Sequence, residues 1–238
     1  MCDVRKSVVR MIALGLAAGL LAGAAGPARA QGKKPQQKRA RRETNASREA
    51  RIARTIQDTY SHRYEVFGGG GFLRFSPGAA IKKMNEVSWD AGLTYFLNPK
   101  LGITGTAQGS FGRAQSLQFD SNFNAYINNP QINEYYFLAG PTYRLYAKEK
   151  VSVSGTAQAG AAWGIFGGGS KGIPPATLGL WNDSTRLGWS VSANGDYNFY
   201  PNLAFRVTPT YLGTNFGSKI QTNFGFNAGV VYRFGRQK

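Results

Sequence analysis

The chain closes with Asn223–Lys238, NFGFNAGVVYRFGRQK. Every second residue from Phe224 gives Phe224, Phe226, Ala228, Val230, Tyr232 and Phe234. The residues between are Asn223, Gly225, Asn227, Gly229, Val231 and Arg233. Successive side chains of a strand point to opposite faces, so one face here is oily and aromatic, the other small, polar and finally charged. Such a strand divides two environments.

The same division recurs upstream. Residues 186–199 set Leu187, Trp189, Val191, Ala193, Tyr197 and Phe199 against Ser190, Ser192, Asn194, Asp196 and Asn198. Residues 203–213 set Leu203, Phe205, Val207, Pro209 and Tyr211 against Ala204, Arg206, Thr208 and Thr210. In all, the pattern predicts eight strands, over 64–75, 85–97, 101–112, 134–146, 151–165, 186–199, 203–213 and 221–235. Short fragments repeat between them: Gly105-Thr106-Ala107-Gln108 returns as Gly155-Thr156-Ala157-Gln158. The connectors alternate strictly between short (98–100, 147–150, 200–202) and long (about 76–84, 113–133, 166–185 and 214–220).

A soluble barrel or sandwich, such as a lipocalin-like binder, could also alternate, but its oily face would pack a single core with no sorting by height. Here Trp89, Phe111, Tyr135, Trp163, Trp189, Tyr211 and Phe224 fall at the long-loop ends of their strands. Tyr95, Tyr143, Tyr197, Phe205, Tyr232 and Phe234 fall at the short-turn ends, with an aliphatic band between. Two aromatic girdles around an apolar belt match two membrane interfaces. The expected fold is therefore all-β, an eight-stranded antiparallel up-and-down transmembrane barrel. Closure is obligatory, because lipid satisfies no backbone polar group.

This plan resembles the small eight-stranded outer-membrane barrels of the OmpA/OmpX type. Strand count, turn asymmetry and the terminal strand Phe224–Phe234 carry the likeness, over about 64–235. The resemblance implies a bacterial outer-membrane location with both termini periplasmic, and a terminal Phe read by the barrel-assembly machinery, here Phe234. A four-residue tail, Gly235–Lys238, departs from that pattern.

The front of the chain reads differently. A basic start and the apolar run Met11–Ala25, ending at Ala28-Arg29-Ala30, predict a signal peptide over 1–30. The segment 31–61 is expected to be a basic periplasmic linker, partly disordered and partly helical. Thr44 or Asn45 would cap the helix, and Ile52 and Ile56 would form a thin apolar face. Residues 62–238 are the barrel. The formal charge of +17 is concentrated at the front: residues 31–59 hold nine basic and three acidic side chains. Export argues against nucleic acid as the partner; the 31–54 arm is expected either to meet anionic inner-leaflet lipid or cell-wall polymer or to serve as a spacer.

By parity the lumen receives Glu65, Asp90, Asp196, Arg144, Arg206 and Arg233, expected to pair as a neutral plug near the periplasmic half. The loops carry Arg74, Lys82, Lys83, Arg113, Lys171, Arg186 and Lys219 against Glu86, Asp120, Glu134 and Asp183, either a mildly basic rim suited to lipopolysaccharide phosphates or ordinary solvated loop charge. Pro141 and Pro209 lie on the oily face, where each deletes a ladder donor; they mark a bulge or a lateral seam open to a lipid tail.

The single histidine, His62, precedes the first strand, so a Ser-His-acid set at the loop end is excluded. The lone cysteine, Cys2, lies in the expected signal, and no His or Cys cluster suggests zinc. Gly68-Gly69-Gly70-Gly71 lacks the Lys-Ser/Thr of a phosphate loop and reads as close strand packing. These observations point to a non-enzymatic surface or envelope-integrity role with a plugged lumen and no cofactor or metal. The alternatives are a narrow channel or carrier for small or hydrophobic molecules, and a lipid-modifying enzyme.

Overall fold

The computed structural model describes residues 44–79, 81–114, 117–120, 125–128, 130–170, 172–217 and 220–237. The predicted signal peptide, the 31–42 arm, Lys171 and Lys219 lie outside the described residues.

Among the described residues an α-helix, α1 (Asn45–Tyr60), precedes ten strands: β1 (His62–Phe75), β2 (Met84–Phe96), β3 (Leu101–Arg113), β4 (Leu117–Asp120), β5 (Ala125–Asn128), β6 (Gln131–Ala147), β7 (Val151–Gly168), β8 (Ser184–Tyr200), β9 (Leu203–Thr214) and β10 (Gln221–Arg236). Eight close into an antiparallel barrel in the order β1-β10-β9-β8-β7-β6-β3-β2. The β4–β5 hairpin is a separate two-stranded sheet within the connection read above as one long loop.

Closure joins β1 to β10 from His62↔Arg236 to Arg74↔Phe224. The glycine run sits on this seam. A side chain on Gly71 would strike the Phe226 carbonyl, and one on Gly229 the Gly68 carbonyl, so the two backbones approach too closely for any Cβ.

The short turns are tied locally. Asn98 Oδ1 accepts from the amides of Lys100 (2.9 Å) and Leu101 (2.8 Å), an Asx turn that reverses the chain in a few residues. At this end register shifts follow Arg144 and Asn198, placing Leu145 with Tyr146 and Phe199 with Tyr200 side by side on the outside.

The alternation has the expected sense. Val191 (52 %) and Phe205 (41 %) are exposed on the exterior, while Asp196 (4 %) and Arg206 (7 %) are buried within. None of the predicted girdle aromatics is buried. At the loop end Trp89 covers Gly109 on β3 and Trp189 covers Gly213 on β9, each ring occupying the space a Cβ would need. Several strands run past the loop-end girdle, and there the interior turns apolar. Leu73, Phe75, Ala114, Ile132, Phe166, Ile173, Leu178, Leu180, Leu212 and Phe216 pack into one core. Phe75 and Phe166 stack at 6.1 Å, with Phe216 edge-on to both.

The helix is integral to the barrel's short-turn end. Thr44 caps it, accepting from the Ser47 amide, and the stripe Ile52, Thr55, Ile56, Thr59, Tyr60 turns inward with increasing burial. The Tyr60 hydroxyl donates to the Lys148 carbonyl at 2.7 Å and accepts from Asn198 Nδ2 at 3.0 Å. The Gln237 amide returns to the Ser61 carbonyl at 2.8 Å, so the entry to β1 and the exit from β10 meet at this end.

Candidate functional site: a layered lumen

Of the six charged residues that alternation directs into the barrel, five meet. Glu65 on β1 is the hub. Its Oε1 accepts from Arg144 Nη2 (2.7 Å) and Arg233 Nε (2.9 Å), and its Oε2 from Arg206 Nη2 (2.9 Å). Asp196 accepts from Arg206 Nε at 2.6 Å and Arg233 Nη2 at 2.9 Å. Leftover donors find neutral acceptors: Arg144 Nη1 reaches the Pro99 carbonyl at 2.6 Å and Arg233 Nη1 the Asn198 Oδ1 at 2.8 Å. Aromatic faces complete the shell. Arg144 lies 4.2 Å from the Phe96 ring centroid and 4.7 Å from that of Tyr60, and Arg206 lies over Phe67. Buried charges survive because each is paired and its remaining hydrogen-bonding capacity is used.

Asp90, the sixth residue, makes no ion pair. It lies further along the lumen, buried, with Oδ1 unpartnered, and it feels the charge of Arg206.

Beyond the ionic layer runs a hoop of short polar side chains. Thr94 meets Thr104 at 2.8 Å, Thr104 meets Thr142, and Thr142 meets Thr156 at 2.9 Å. Asn194 extends the hoop, donating to Thr156 at 3.0 Å and accepting from Thr208 at 3.1 Å. Gln158 donates to the Thr104 carbonyl at 3.1 Å. Between these groups, Asp90 and Phe67 remains a polar cavity of about 30 Å³, room for about two waters and too little for a hydrated ion. The apolar core described above closes the loop end.

Two expectations need correction. Glu86 and Glu134, read as loop charges, are buried inside the barrel at 1 % and 0 % exposure. Parity carried the signal: Glu86 shares the inward face of β2 with Ser88 and Asp90, and Glu134 that of β6 with Tyr136 and Arg144. The apolar layer was missed for a related reason. Beyond the girdle the outer face meets water, as at exposed Arg74, so an inward Leu73 or Phe75 no longer conflicts with the pattern. The described rim keeps Arg74, Lys82, Lys83, Arg113 and Arg186 exposed, and Asp183 accepts from the Phe166 amide at 2.6 Å. The side chain of Asp120 lies outside the described residues.

The ladder lapses at both prolines. Gly140 and Pro141 pair with β3 but not with β7, and Thr208 and Pro209 pair with β10 but not with β8. The β7–β8 hairpin is thus flanked on each side by a local break. His62 begins β1 at the short-turn end, its Nδ1 3.1 Å from the Thr59 carbonyl, remote from the loops. Among the described residues no group of three or more His, Cys, Asp or Glu side chains converges.

No protein-family model matches the chain, and no curated protein matches it. Among solved structures it is similar to Neisserial surface protein A, with a TM-score of 0.48 and 16 % identity over 72 % of this chain and 97 % of that one. It is also similar to OprG, the outer membrane protein of Pseudomonas aeruginosa, with a TM-score of 0.46 and 10 % identity over 74 % and 98 %. Ail of Yersinia pestis, solved with the heparin analogue sucrose octasulfate, gives a TM-score of 0.43 and 18 % identity over 72 % and 97 %. The outer membrane protease OmpT of Escherichia coli gives a TM-score of 0.34 and 14 % identity over 63 % and 64 %. The chain's own closed sheet, lipid-facing exterior and charged interior make it a transmembrane barrel of the outer-membrane type.

Proposed function

We propose that this protein is a non-enzymatic outer-membrane barrel, closed to bulk solute, that acts at the cell surface or in envelope integrity through its loop end. The observation that carries the reading is a lumen filled in three successive layers: ionic, hydroxyl-amide and apolar. Short turns then face the periplasm with both termini, and the longer loops face outward. Barrel-assembly machinery would read the terminal strand ending in Phe234.

The rim favours lipopolysaccharide as its neighbour. With Glu86 and Glu134 withdrawn into the barrel, the exposed set Arg74, Lys82, Lys83, Arg113 and Arg186 is more basic than the loop composition suggests. Phosphates of the outer leaflet suit it. The enzyme reading finds no support at the loop end, where no histidine is available. The seam reading finds little, because Thr142, Thr156, Thr208 and Thr210 behind the two prolines offer an acyl chain no apolar space.

Planar-bilayer recording of the refolded protein tests the sealed lumen. Quiet traces are expected, and stable, reproducible conductance steps would favour the channel reading. Binding of vesicles with and without lipopolysaccharide, compared between the native protein and an R113E/R186E variant, tests the rim.

A further inference from the structure

Just beneath the apolar layer lie four buried oxygens without a partner: both carboxylate oxygens of Glu86, Oε1 of Glu134 and the hydroxyl of Ser110. All three residues are essentially inaccessible. Burying two carboxylates with no base beside them and a single donor, the Tyr136 hydroxyl, between them costs several kcal/mol each, so an uncompensated pair of charges would not persist.

The register brings the three together. Ser110 on β3 pairs with Glu134 on β6, and Gly112, two residues on and on the same inward face, pairs with Ile132. Glu86 on β2 leans across β3 at this point. A Cβ on Gly112 would strike Met84 Cε and lie 2.7 Å from Glu86 Cγ and 3.2 Å from Glu86 Oε1. The absence of a side chain on Gly112 therefore leaves room for Glu86 over β3, beside the Ser110–Glu134 pair. Tyr136 donates its hydroxyl to Glu134 Oε2, fixing that carboxylate and leaving Oε1 without a partner.

An all-oxygen set with two negative charges and no protein cation is the donor chemistry of a hard divalent ion. We propose that Glu86, Glu134 and Ser110 hold Mg²⁺ or Ca²⁺ inside the loop end of the barrel, cross-linking β2, β3 and β6 under the apolar cap. Tyr136 positions Glu134. Exchange is slow, because the ion enters only when the cap opens.

The full-length refolded protein, in lipopolysaccharide-free zwitterionic detergent, is titrated with MgCl₂ or CaCl₂ alone after EDTA treatment. The thermal midpoint is read by loss of the compact gel form. A rise of roughly 5–10 °C is expected at saturating ion for a barrel of this size. An E86Q/E134Q variant keeps the shape and loses the charges; it should melt above the EDTA-treated native protein and ignore both ions. Gly112→Leu, which fills the room left for Glu86, should abolish the ion response while the barrel still forms. No shift with either ion overturns the proposal, and so does an equal shift in the E86Q/E134Q variant. Stabilisation by acid alone would assign the pair a shared proton and overturn it likewise.

Discussion

Arg206 clamps two carboxylates at once: Nη2 donates to Glu65 Oε2 at 2.9 Å while Nε donates to Asp196 Oδ1 at 2.6 Å. Asp196 is its cross-strand neighbour, whereas Glu65 lies on β1, with β10 between. One guanidinium thus joins adjacent strands and bridges the lumen. Glu65 returns the favour by accepting from three arginines on β6, β9 and β10. Glu65→Gln should cost about 3–5 kcal/mol, the usual penalty for leaving buried charges short of a partner. Reversible urea unfolding in lipid vesicles measures it. A loss below about 1 kcal/mol would mean the layer is solvated and contributes as a surface pair does.

Tyr60 stoppers the short-turn end, with Arg144 and Arg233 over its ring and its hydroxyl held on both sides. Tyr60→Phe should cost about 1–2 kcal/mol for the two hydrogen bonds. Tyr60→Ala should cost about 3–5 kcal/mol and release α1 to proteolysis. Neither should create conductance, since the ionic layer lies behind the stopper. Limited trypsin digestion at Arg51 and Arg54 reports the release.

Gly213 exists for Trp189. Gly213→Ala drives a methyl into the indole and should destabilise the barrel by about 1–3 kcal/mol. The G213A/W189V double variant should recover much of that loss, giving a coupling that thermal unfolding of the four proteins reads directly. Additive losses would show that the ring does not rest on the glycine.

The two prolines leave ladder donors missing beside the β7–β8 hairpin. Replacing both with valine should stabilise the barrel by roughly 0.5–1.5 kcal/mol per restored hydrogen bond. Uptake of a fluorescent fatty acid from vesicles should be unchanged. A drop in uptake would revive the lateral seam.

The barrel was legible because lipid imposes one rule on every strand, and sequences such as Leu187–Phe199 obey it without interruption. The ionic layer was legible for the same reason: a charged residue in an inward position at membrane depth has to find a partner, as Glu65, Arg206 and Arg233 do. What parity could not supply was depth. Above the girdle both faces are free of lipid, so Leu73, Phe75 and Phe166 could pack inward and Glu86 and Glu134 could be drawn in with them. Nor could it reveal α1 as a cap. The contacts of Tyr60 run to Lys148 and Asn198, far away in the chain, and its own turn of helix carries only a thin apolar stripe.

Oily side chains of this barrel face lipid and polar ones face the lumen. Single-cysteine spin labels at each position from Leu187 to Tyr197, in a Cys2→Ser background, report that orientation in reconstituted bilayers. Oxygen accessibility should oscillate with a period of two residues, high at Val191, Ala193 and Tyr197 and low at Ser190, Ser192 and Asp196. The opposite phase, or a flat profile open to water-soluble relaxation agents, would contradict it.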